Sequence, residues 1–232
     1  MKKVLILFFC SLLLISCAGV TGSGRLVKES RNVGKFTGLS VSQSINVIVR
    51  IGNSQALQIE ADDNIIKSIE TKVINGILEI SYANDYNFNN TTVEIEIIIP
   101  YLDLIKVSSS AEILIKDRMR YDGKVKIEGS SSGNVEAMIE ANEIVVEANS
   151  SANIVLTGTT TKGDFAASSS GEINAANLEC ETAVAKASSS GDITLNVSRN
   201  LDASASSSGD IRYKGSAVVS KSLSSSGSVE KL

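Results

Sequence analysis

The 232-residue chain carries 22 Lys and Arg against 26 Asp and Glu, a net charge of −4, and has no histidine. That balance offers no basic patch for nucleic acid and removes the commonest general base and metal ligand. Hydrophobic residues make up 43 % but aromatics only 4 %, with no tryptophan, so a core must come from Ile, Val, Leu and Ala.

In chain order, Met1-Lys2-Lys3 is a short positive region, followed by a mostly apolar run from Val4 to Ile15. That run is too short to span a bilayer and fits a signal-peptide core. Leu14-Ile15-Ser16-Cys17-Ala18 then resembles a bacterial lipobox. The resemblance implies that residues 1–17 form a lipoprotein signal with lipobox Cys17, with cleavage before Cys17 and acylation of its thiol and new amino group. Several acyl chains on one residue anchor stably, each buried CH₂ contributing about 0.8 kcal/mol. The expected place is the cell envelope, lipid-anchored to the outer membrane. Ala18-Gly19-Val20-Thr21 lacks the acidic residues associated with surface export, so both faces of that membrane stay open. Residues 18–32, rich in Gly, Ser and Thr, read as a flexible tether. Of Cys10, Cys17 and Cys180, the mature body keeps Cys180 alone. This excludes a disulfide framework, and with no histidine to activate it Cys180 reads as a buried or strand-edge thiol.

From residue 33 to 104 the pattern is strand-rich. Val41 to Ile51 reads as one strand, Leu57 to Ala61 as a second, and Asp62-Asp63-Asn64 as a break opening a short helical turn over Ile65 to Ser68. Asn75-Gly76 between apolar runs is a hairpin signal, and Val93 to Ile99 is a strand ended by Pro100. Glu60, Asp62 and Asp63 are a loose acidic cluster that reads as a solvated turn rather than a Ca²⁺ loop. Ser42 to Val47 echoes the phrase described next.

Residues 105–232 repeat Ser-Ser-Ser-Gly-x-Ile, or a close variant, seven times, starting at Ser108, Ser130, Asn149, Ser168, Ser188, Ser206 and Ser224. The steps are 22, 19, 19, 20, 18 and 18 residues, the period of a stacked structural unit. The sixth position (Ile113, Val135, Ile154, Ile173, Ile193, Ile211, Val229) is always apolar, and the residue before the phrase is apolar or small. Period two then points the second Ser and the fourth-position Gly or Ala inward too, at a tight point, with a ladder of inward serines along the axis. The first and third Ser and the fifth residue point outward. The expected fold is all-β: a parallel β-solenoid of 18–22-residue coils, a right-handed β-helix by the usual crossover rule. The candidate binding face is Ser168, Ser170, Glu172, Ser188, Ser190, Asp192, Ser206, Ser208 and Asp210.

The strand set ending at Ile97-Ile-Ile-Pro-Tyr-Leu102, followed by Ser-Ser-Ser-Gly-Asp-Ile units, resembles the DUF2807 family, the GIN-domain head of auto-transporter adhesins common in Bacteroidetes. Asp63 to Ile69 and Asn75 to Leu78 look like its first half, and the resemblance covers roughly residues 33–232. It implies a β-helix related in shape to pectin-lyase-like proteins, with no agreed catalytic residues, no cofactor and an adhesive role. The expected function is a non-enzymatic, lipid-anchored envelope protein binding a glycan or a host or cell-surface protein. A polysaccharide lyase or hydrolase, with Asp192 and Asp210 on neighbouring coils, is the alternative, as is a structural envelope component. An ice- or mineral-binding face is weaker still, because Ser lacks the methyl such arrays use. The absence of a capping helix after Val229 points to edge pairing into a homo-oligomer.

Overall fold

The computed structural model describes residues 19–83 and 88–232. The lipobox and signal segment lie outside the described residues. None of the described residues forms a helix long and apolar enough to cross a membrane.

The strands are β1 (Val20–Thr21), β2 (Leu26–Ser30), β3 (Gly38–Val41), β4 (Asn46–Ile51), β5 (Ala56–Asp62), β6 (Ile69–Ile74), β7 (Ile77–Tyr82), β8 (Phe88–Asn89), β9 (Val93–Ile99) and β10 (Leu104–Val107). They continue with β11 (Glu112–Gly129), β12 (Asn134–Ala148), β13 (Asn153–Ala167), β14 (Glu172–Ala187), β15 (Asp192–Ala205), β16 (Asp210–Lys214), β17 (Val218–Leu223) and β18 (Ser228–Lys231). From β10 onward every pairing is parallel, each coil on the next. This is the expected β-solenoid.

Each repeat phrase is a corner. In every copy the second and third residues have φ between 45° and 65°. The fourth-position N–H donates back to the first-position carbonyl, as in Gly171 to Ser168 at 2.9 Å. Two central residues with φ > 0 closed by such a bond make a type I′ turn. The serines at its tip are exposed, which corrects the inward placing of the second Ser. The reason is local. Two consecutive left-handed residues swing the tip outward, and because the turn holds two of them, alternation resumes in phase at position four. The columns on either side are therefore as expected: Ala111, Ile113, Gly191 and Ile193 are buried, like Val107 and Ala187.

The corners also bond to each other. The third-position N–H donates to the second-position carbonyl of the following coil, from Ser110 to Ser131 (3.0 Å) through Ser208 to Ser225 (3.2 Å). The expected ladder of inward serine hydroxyls does not form; a ladder of backbone bonds stands in its place. Non-glycine left-handed residues cost roughly 1–2 kcal/mol each, and a backbone hydrogen bond returns about 0.5–1.5 kcal/mol net. Each corner from Ser108 to Ser206 thus holds its strain by bonding to both neighbours, and the last, at Ser224, to the one before it.

Fourth-position glycine answers a different need, since its φ is not positive. A Cβ on Gly171 would sit 2.2 Å from the Ala148 oxygen, and one on Gly191 2.4 Å from the Ala167 oxygen, one coil back.

Coil-length differences are absorbed opposite the Ser corners. The β11/β12 ladder shifts register between Ile115 and Met119 and between Tyr121 and Lys124. The two 19-residue steps pair without a shift through β12/β13, and shifts return in β13/β14 and β14/β15.

The first part caps the stack. The stretch Val41–Ile51 is two strands, because Gln43 (φ 63°) and Ser44 (φ 58°) form a corner whose Ser44 N–H donates to Ser109 O at 2.9 Å. The degenerate phrase at Ser42 is thus a true coil corner. On one side β9 pairs parallel with β4, β5 antiparallel with β9, and β2 antiparallel with β5. On the other, β7 pairs parallel with β3 and antiparallel with β6, through the Asn75-Gly76 hairpin. A 3-10 turn over Ile66–Ser68 occupies the expected helical turn. Residues 18–32, read as a tether, contain β1 and β2. The alternation of Leu26 to Ser30 was too polar to signal a strand, and it pairs at an edge.

At the far end, Val218 (74 %) and Leu223 (53 %) are exposed. Lys221 stands in the inward column after Ala185 and Ala203. Its ammonium lies 5.6 Å from the Tyr213 ring centroid and donates to the Val229 carbonyl at 2.7 Å.

Candidate binding surface

The fifth-position residues form one column across the flat face that follows each corner. Glu172, Asp192 and Asp210 are register partners, and the column continues through Asn153, Asn134 and Glu112 to Asn46 and Glu94. Successive side chains stand about 4.8 Å apart, the strand spacing. Ser170, Ser190, Ser208 and Glu172 are exposed, whereas Ser168, Ser188, Ser206, Asp192 and Asp210 are half-buried. The nine sequence-expected residues therefore do line one strip of the exterior.

Two of the acids in it, Asp192 and Asp210, are engaged, as is Asn149. Arg212 Nη2 lies 3.4 Å from Asp192 Oδ1, Ser228 Oγ donates to Asp210 Oδ1 at 2.6 Å, and Ser168 Oγ donates to Asn149 Oδ1 at 2.5 Å. Arg212 had stood two residues from Asp210 in the sequence; register carries it onto the neighbouring coil's Asp192. No group of three His, Cys, Asp or Glu side chains among the described residues is placed to hold a metal ion.

The face before each corner carries ion pairs between coils. Glu128 meets Lys106 at 2.8 Å and Lys126 at 2.5 Å, and Lys126 also meets Glu147 at 3.2 Å. The two lysines hold the Glu128 carboxyl below its usual range against the opposing effect of burial.

The opposite, irregular edge forms a polar groove of about 590 Å³, lined among others by Arg120, Glu140, Thr161, Glu179, Glu181 and Asn196. Here side chains bond coil to coil, except between β12 and β13, as the backbone does at the corners. Asn142 Nδ2 donates to Asp122 O (3.0 Å), Thr182 Oγ1 to Thr161 O (3.2 Å), Ser198 Oγ to Cys180 O (3.4 Å) and Ser216 Oγ to Ser198 O (2.8 Å). These residues escaped the sequence reading because they fall 12, 14, 10 and 10 residues after Ser130, Ser168, Ser188 and Ser206. Unequal coil lengths hide the column.

Cys180 is buried at the floor of this groove. Burial pushes its thiol up to about 11, and Sγ donates to the Thr182 carbonyl at 3.0 Å. It is the inert thiol expected.

Asp62 departs from the solvated-turn reading. It is buried, and its two oxygens accept backbone N–H groups from Gly24 and Thr92, both at 2.7 Å. Asp63 pairs with Arg25 and Glu60 with Lys28. A residue 38 positions away cannot be read as a partner from local pattern.

A stack of parallel coils, covered at one end by antiparallel strands and polar on its sides, defines a β-solenoid. The chain belongs to the DUF2807 family, whose model, described as "Putative auto-transporter adhesin, head GIN domain", matches residues 35–217. Solved structures agree. A Bacteroides fragilis protein described as a putative adhesin is 25 % identical, with a TM-score of 0.83 over 92 % of this chain and 100 % of its own. A "putative lipid binding protein" of Parabacteroides distasonis is 23 % identical, with a TM-score of 0.77 over 93 % of this chain and 100 % of its own, and shares the fold. A Parabacteroides merdae protein described as a putative adhesin, 21 % identical, also shares it, with a TM-score of 0.70 over 92 % of this chain and 99 % of its own. No curated protein matches this chain.

Proposed function

We propose that the protein is a non-enzymatic, lipid-anchored adhesin of the cell envelope, acylated at Cys17 and held at the outer membrane, that binds a glycan or protein partner along the Ser-corner strip. The observation that carries this reading is the register-aligned column Glu172–Asp192–Asp210 beside exposed Ser170, Ser190 and Ser208. An extended polar partner meets the same hydrogen-bonding groups at every coil, so modest contacts add along its length. The family's adhesin description supports the role.

The test is a glycan and matrix-protein array probed with residues 19–232, alongside Ser190→Arg and Ser208→Arg variants. Binding lost in the variants supports the strip. Absence of binding to any array member, together with unchanged cell attachment in a deletion strain, sinks the adhesin reading. Turnover of a uronate polymer that disappears in Asp192→Ala would replace it with the enzyme alternative.

The groove opposite is the alternative seat for the partner, because its concave polar lining can enclose a ligand. Glu179→Arg would then abolish binding while Ser190→Arg leaves it intact.

A further inference from the structure

The residues closest to the lipobox are fastened, not free. Gly22 N–H donates to Asn89 O (3.2 Å), Ser23 N–H to Asn64 Oδ1 (3.0 Å) and Gly24 N–H to Asp62 Oδ1 (2.7 Å). Asn64 Nδ2 donates to Thr21 O (2.9 Å), Ser23 Oγ to Asp63 Oδ1 (2.5 Å), and Arg25 pairs with Asp63. A Cβ on Gly22 would lie 2.4 Å from Asp62 Oδ2, so the chain passes hard against the buried carboxylate. The clamp residues Asp62, Asp63 and Asn64 close β5, and β2 leaves the clamp to pair along β5. Both sit in the antiparallel layers at the N-terminal end of the stack.

Ala18 and Gly19 are the residues between Cys17 and the first strand residue, Val20. Three residue steps reach at most about 10 Å. We propose that this short link holds the N-terminal end of the solenoid, around Asp62–Asn64 and the 3-10 turn Ile66–Ser68, against the lipid headgroups, and that the coils rise from the membrane in sequence order without a flexible spacer. This rests on the acylation of Cys17 proposed above. At this end Arg25, Lys28, Arg31 and Lys72 each pair with a carboxylate, and among the described residues exposed Lys67 on the 3-10 turn is in no ion pair and can meet the phosphate of a zwitterionic headgroup. Each coil adds about 4.8 Å of height, so the corner at Ser224 stands farthest from the lipid.

The experiment uses the full acylated chain in phosphatidylethanolamine vesicles containing headgroup-nitroxide lipid. Fluorophores are attached to Lys67→Cys at the N-terminal end or to Ser226→Cys at the last corner; buried Cys180 leaves the new thiol as the reactive one. The expected result is several-fold stronger quenching at position 67 than at 226. A 15-residue Gly-Ser insertion between Ala18 and Gly19 should erase most of that difference without altering the fold. Equal quenching at the two positions, or quenching indifferent to the insertion, overturns the docking geometry while vesicle flotation still upholds the anchor. Failure to float with the vesicles overturns the anchor and the docking together.

Discussion

Gly191 lies against Ala167 of the preceding coil so closely that a Cβ on it would fall 2.4 Å from the Ala167 carbonyl oxygen. Gly191→Ala must push two coils apart or bend the corner. Overpacking of this kind costs about 1–3 kcal/mol, and urea denaturation should show a loss in that range. One corner inverts the arrangement. Ala152 has its Cβ 3.0 Å from where a Cβ on Gly129 would stand. Gly129→Ala should therefore destabilise, and Ala152→Gly should recover a measurable part of the loss in a double-mutant cycle.

Ser189 is exposed with φ 50°. Ser189→Gly should shift stability by less than about 1 kcal/mol, as relief of the left-handed strain is offset by greater freedom of the unfolded chain. Ser189→Val places a β-branched residue in that region and should cost about 1–2 kcal/mol. Thermal unfolding of the pair checks this; an equal and large loss in both would put the side chain inside.

Lys221 ends an inward column otherwise made of small or apolar residues and sits on Tyr213. A charge directed inward at a sheet edge opposes further strand pairing. Lys221→Ile should increase the concentration-dependent mass measured by light scattering relative to wild type. Unchanged mass would mean that the edge is guarded elsewhere.

The Cys180 thiol is pushed up to about 11 by burial. It should resist thiol reagents in the native protein at pH 8 and react on unfolding. Because the raised group is an acid held neutral, its effect on stability is absent below pH 9. Above pH 9 the unfolded state ionises first, and stability falls until the folded thiol also ionises near pH 11. The loss reaches about 3 kcal/mol at most. Cys180→Ala should flatten that part of the stability–pH curve.

Along the repeats, local chemistry was enough to read the coil, the apolar columns and the outward strip from Glu172 to Asp210. A six-residue phrase returning seven times makes every position vote on which way it points. The second Ser was misplaced because period two assumes an unbroken strand, and nothing in Ser-Ser-Ser announces two left-handed residues. Asn75-Gly76 was legible for the opposite reason: its residue types demand φ > 0 by themselves.

Sequence alone therefore determined the solenoid, its period and the family likeness, because those follow from side-chain polarity repeated at a constant place. Tertiary structure decided the rest. The union of Arg212 with Asp192, the coil-to-coil side-chain bonds of Asn142, Thr182, Ser198 and Ser216 and the grip of Asp62 on Gly24 all depend on which coil lies against which, and by how many residues it is offset. That offset is set by the unequal edge opposite the corners, where residues that meet in space are separated by a variable length of chain.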